Sequence, residues 1–168
     1  MTICAHFSCG TSFSAIISTP TDVINITGSD TALIRILKIG ISTTQTTTGI
    51  NPWNIIKRST ANSGGISENP SIVGFDSFNS AATAIIAGYI EPPTLGNLIG
   101  SIKNFTLNSP SLKDDGIGAG FMLFNFTEMN IDPLLLRGHS ESISINFLGA
   151  SLPSGLRINA FVRWTEEA

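Results

Sequence analysis

A chain of 168 residues is long enough for one domain that buries about two-thirds of the surface its unfolded form exposes, so stability requires neither a disulfide framework nor a structural metal. Charged residues make up 12% of it, against about 25% in an average domain, and the formal net charge is −3 with no clustered Lys or Arg. This excludes a binder of phosphate backbones and leaves a surface dominated by Ser, Thr and Asn, short side chains that suit strands and turns better than helix faces.

In chain order, the segment to Pro20 mixes small and polar residues and reads as an N-terminal arm, residues 1–20, ahead of a single domain, 21–168. Its start has no basic region and no long apolar run. The expectation is therefore a soluble protein made in the cytoplasm without an export signal or membrane partner. Asp22 to Ile26 predicts a short strand. From Ala32 the run ALIRILKIGIS puts Ile34 and Ile36 on one face and Ile39 and Ile41 on a face offset by one residue, which one extra residue near Leu37 and Lys38, a β-bulge, would produce. Thr43 to Thr48 is a polar link. Asn51 to Ser59 predicts a strand with Trp53 and Ile55 on one side, and Thr60 to Pro70 has the Ser, Asn and Gly content of a surface loop.

Ser80 to Ile90 alternates as a strand does, although Asn79 could cap a helix. Its β-branched residues and Gly88 favour the strand, and Pro92 and Pro93 stop it. Leu98 to Leu107 predicts another strand and Ser109 to Gly120 a loop. Phe121 to Phe126, FMLFNF, is apolar enough to predict a central strand covered on both faces, and Leu134 to Leu136 a brief one. Ser140 to Glu166 holds two alternating runs, Ile143, Ile145 and Phe147, then Leu156, Ile158, Ala160, Val162 and Trp164. With Pro153 and Gly155 between them they predict an antiparallel ribbon. About eight to ten short strands separated by turn signals predict an all-β, antiparallel sandwich of jelly-roll type.

No pattern nominates a catalytic residue, a metal or a cofactor. Cys4-x-His6-x2-Cys9 offers three soft ligands, but structural zinc sites draw paired ligands from two segments, and His139 is the only other histidine. Buried thiols are the simpler reading. Gly116, Gly118 and Gly120 follow Asp114 and Asp115 in a flexible turn rather than opening a helix, so neither a dinucleotide loop nor a calcium loop is formed. Asn25, Asn104 and Asn125 head N-x-Thr sequons that read as chance. An enzyme is the least favoured class.

Phe161 does point to a function. It alternates with Asn159 and Arg163 on the face opposite the Leu156 to Trp164 row, and Arg157 shares that face. A large aromatic there is covered by a loop or by another subunit. With little surface charge to keep copies apart, the expectation is a homo-oligomer with Phe161, Arg157 and Arg163 at the subunit interface.

The stretches IRILKIGIST, IIKRSTANSGG, AATAIIAGYIEPPTLGNLIGSI and LRGHSESISINFLGASLPSGLRINAFVRWTEE resemble small jelly-roll virion proteins of tailed bacteriophages. The most recognisable pieces are Lys57 to Gly65, Pro93 to Gly96 and Arg163 to Glu167, within matching regions that span Ile34 to Glu167. The resemblance implies a homo-oligomer, a trimer, seated on the capsid as a cement or decoration protein with the major capsid protein as partner. The alternative is a jelly-roll module of a head or tail fibre that binds a host receptor or glycan.

Overall fold

The computed structural model describes residues 2–12, 19–44, 49–75, 78, 81–109, 120–127, 134–149 and 157–167, and every regular element among them is a strand. Twelve strands form two antiparallel sheets: β1 (Thr2–Ser12), β2 (Thr21–Thr27), β3 (Leu33–Thr44), β4 (Gly49–Arg58), β5 (Ile66–Glu68), β6 (Ile72–Gly74), β7 (Ile85–Glu91), β8 (Leu98–Ser109), β9 (Gly120–Asn125), β10 (Leu134–Leu136), β11 (Ser142–Phe147) and β12 (Arg157–Glu167). The first sheet runs β10-β3-β12-β1-β6, with β9 also paired to β3, and the second runs β5-β7-β2-β11-β4-β8. The protein is an all-β antiparallel sandwich.

Period-two alternation builds the core between the sheets. The first sheet contributes Ile34, Ile36, Ile39, Ile41, Ile158, Val162 and Trp164, and the second Val23, Trp53, Ile55, Ile143, Ile145 and Phe147, all buried. Trp53 packs against Phe147 with ring centroids 5.0 Å apart. The offset in the β3 pattern is a bulge: Arg163 pairs with Lys38 but Trp164 pairs with Ile36, so Leu37 is the extra residue and both Ile pairs reach the same interior.

Five expectations need restating. The runs of Ser140 to Glu166 are not a ribbon. β11 lies between β2 and β4 in one sheet and β12 between β1 and β3 in the other, so their apolar rows meet across the core instead of side by side. Nine residues separate β11 from β12, more than a tight hairpin uses. Nor is FMLFNF central: among the described residues β9 pairs only with β3, and its Phe121 and Leu123 stay exposed. Of the residues expected as an arm, Thr2–Ser12 form β1, in register with β12 over its whole length. Of Ser80 to Ile90, residues 81–84 are not strand and β7 begins at Ile85, and the Thr60 to Pro70 loop contains β5. Leu156, Asp114, Asp115, Gly116 and Gly118 lie outside the described residues.

Candidate functional site

The outer sides of the two sheets present the two places where function could reside. On the second sheet the residues that alternate with the core row are Asp22, Asn25, Ser142, Ser144, Asn146 and Arg58, and all are buried. Asn62 and Gly96, from the stretches 59–65 and 92–97, bond to Asp22 and Arg58 of this row. Arg58 grips Asp22 with two parallel bonds, Nε to Oδ2 at 2.7 Å and Nη2 to Oδ1 at 2.9 Å. Asn62 and Asn146 donate to the same carboxylate at 2.8 and 2.7 Å, and Arg58 Nη1 donates to the Gly96 carbonyl at 2.6 Å. The Gly96 N–H returns to Asn62 Oδ1 at 2.9 Å, and Ser63 and Thr94 exchange both backbone bonds. Burial pushes the Asp22 carboxyl up, but the bonds from Arg58, Asn62, Asn146 and Ser144 outweigh it and hold the group below the usual carboxylate range. A buried charge with this many donors is a structural clasp whose hydrogen-bonding capacity is filled. Gly96 is required there, because a Cβ would overlap the Thr60 carbonyl.

A second buried carboxylate ties the layers. Glu166 extends the inner row of β12 and accepts bonds from the Thr83 N–H, the Thr83 hydroxyl at 2.7 Å, the Ala84 N–H at 3.1 Å and Trp164 Nε1 at 2.9 Å. Burial raises its pKa, and the bonds from Trp164, Thr83 and Ala84 more than reverse that, leaving it lowered. The segment leading into β7 is thereby fixed to β12.

The outer side of the first sheet is the opposite case. Register places Phe161 of β12 beside Gly40 of β3, and Gly40 beside Leu123 of β9, in one row across the strands. The neighbouring row is Asn159, Ser42 and Phe121, and the row on the other side is Arg163, Lys38 and Asn125. Phe121 is 57% exposed and Leu123 45%. Phe161 is half-buried because its ring lies over Gly40, where a Cβ would overlap it. Val73 and Phe75 extend the apolar area past β1, with the Arg163 guanidinium 4.7 Å from the Phe75 ring centroid. Around the end of β9 an apolar cleft of about 460 Å³ opens, lined by Ile102, Met122, Phe124 and Leu134 among others.

The three residues expected at a subunit interface, Arg157, Phe161 and Arg163, therefore share this one face, with both arginines exposed. Phe121, Leu123, Val73 and Phe75 were missed. The apolar content of FMLFNF predicts burial on both sides, and the strand order among the described residues makes it an edge. The clasp was missed too, although the rarity of charge in this chain makes Asp22 and Arg58 within strands a usable signal. The sequon asparagine Asn25 is buried and donates to Ser144 Oγ at 2.7 Å. Cys4, His6 and Cys9 fall on β1 opposite Thr165, Arg163 and Ala160, and their side chains are outside the described part. Among the described residues no group of three His, Cys, Asp or Glu is placed to share a metal ion, and no helix is long and apolar enough to cross a membrane. Comparison with protein-family models, curated proteins and solved structures found no match.

Proposed function

We propose that this chain is a structural virion protein of a tailed bacteriophage, a homo-oligomer, in trimeric form, that sits on the capsid surface as cement and has the major capsid protein as its partner. The observation that carries the self-association part is the apolar patch of exposed Phe121 and Leu123 beside the half-buried Phe161, set among Asn159, Ser42, Lys38 and Arg163 on one sheet face. The virion part rests on the resemblance of Ile34 to Glu167 to small phage jelly-roll proteins. The strand order supports the jelly-roll form: β1, β12, β3 and β9 face β2, β11, β4 and β8, and the chain crosses between the sheets at each step from β1 to β4, from β8 to β9 and from β10 to β12.

The mechanism is mechanical. A sandwich pinned by two buried carboxylates makes a stiff block, and a ring of such blocks multiplies weak contacts with the shell, so that many small affinities act together against expansion. The test adds purified protein to capsids that lack it. Stoichiometric binding with a raised thermal or osmotic stability of the capsid supports the cement role. Binding to host cells or glycans with capsid stability unchanged replaces it by the fibre module.

A further inference from the structure

The charge pattern says how copies would meet. The chain has nine Lys and Arg in all, and its net charge is −3. Four of the nine, Arg35, Lys38, Arg157 and Arg163, stand on the outer side of the first sheet, where the described acids amount to Glu167 alone, paired with Arg35 at 2.8 Å. Four cations against one anion leave this face at +3 among the described residues. At the far edge of the second sheet the balance reverses. There Ile66 of β5, 48% exposed, lies directly across the ladder from Glu91 of β7, and Glu68 follows two residues on. Glu68 and Glu91 are both exposed, with no ion-pair partner among the described residues.

We infer that copies associate head to tail, the basic, apolar outer face of the β9-β3-β12 strands of one copy seating on the acidic β5–β7 edge of the next. The inference rests on the self-association reading above and adds its geometry. A two-fold contact would set this face against itself, so that Lys38, Arg157 and Arg163 meet their own copies and the approaching charges repel. A head-to-tail contact brings the same cations to Glu68 and Glu91 and lays Phe121 and Leu123 against Ile66. Because each copy then offers one donor face and one acceptor edge, such contacts form a ring when the rotation between copies closes, and a trimer is such a ring with three copies. The open edge of β5 is short, three residues, so the contact depends on side chains more than on ladder extension.

Charge reversal separates the geometries. Lys38→Glu, Arg163→Glu and Glu91→Lys are made singly, together with the double variant Lys38→Glu/Glu91→Lys, and native mass and sedimentation are measured at several salt concentrations, with circular dichroism as the check on folding. Each single reversal is expected to weaken association at least tenfold. The double variant should regain the native mass, because swapped charges again face each other. Lys38→Glu guards the result, since Arg163 also contacts Phe75. If the wild type is oligomeric but Glu91→Lys leaves it unchanged, the head-to-tail inference falls while self-association stands. If both single reversals weaken assembly and the double variant stays dissociated, the pairing of these two surfaces is overturned. A wild type that is monomeric at every concentration removes both.

Discussion

The two sheets turn contrasting sides away from the core. The second sheet carries Asp22, Asn25, Ser144, Asn146 and Arg58 there, the composition of a solvated face, yet these residues are buried, and Asn62 and Gly96 bond to Asp22 and Arg58. The first sheet carries Phe121, Leu123 and Phe161 there, the composition of a covered face, yet Phe121 and Leu123 are exposed among the described residues. Hydrophobic alternation tells which side of a strand meets the main core. It does not tell what meets the other side. A polar row is buried at low cost when a loop fills its hydrogen bonds, and an apolar row is tolerated in water when another molecule is to cover it.

That contrast can be broken from either side. The largest effect is expected inside the core: Trp164→Ser removes a fully buried indole that also donates to Glu166, and should cost about 4–5 kcal/mol, read as a lost or strongly lowered urea midpoint. Asp22→Ala strands Arg58 beneath the clasp and should cost about 3–5 kcal/mol, with hydrogen exchange rising in residues 59–65 and 92–97. A cost near zero would mean that the polar outer side of the second sheet is solvated after all.

Acid should act on the same two carboxylates. Asp22 and Glu166 both have pKa values lowered in the folded state. Their stabilising contribution is therefore complete above the unfolded carboxylate range of about 4 and is lost as pH falls through the folded values. The urea midpoint should be level from pH 7 to 5 and fall below about pH 4, and Asp22→Asn should flatten part of that fall. A midpoint that rises on acidification would contradict the sign. The smallest stability effect belongs to the exposed face, where Leu123→Glu should shift stability by no more than about 0.5 kcal/mol while altering assembly.

Local signals made much of the fold legible. The Ile34, Ile36, Ile39, Ile41 pattern announces both the β3 strand and its bulge, and Leu134 to Leu136 matches β10 residue for residue. Partner choice was not legible. Nothing local in Ser142–Phe147 or Arg157–Glu167 says that they join different sheets, because both are amphipathic strands with an apolar row toward the same interior. FMLFNF misled for the same reason: its apolar content is equal to that of a central strand, and only the ladder shows that β9 has one neighbour among the described residues. The face of Arg157, Phe161 and Arg163 could be read because alternation along a single strand suffices to define it. The clasp could not, since it joins Asp22, Arg58, Asn62, Gly96 and Asn146 from four separate stretches of chain.

The most direct test of the account is the native mass of the wild type beside Phe161→Ser and Phe121→Glu, each checked for an unchanged circular dichroism spectrum. The account predicts an oligomer for the wild type and a shift toward monomer for both variants, with folding kept and stability lowered by no more than about 1 kcal/mol. A monomeric wild type, or variants that unfold before they dissociate, would contradict it.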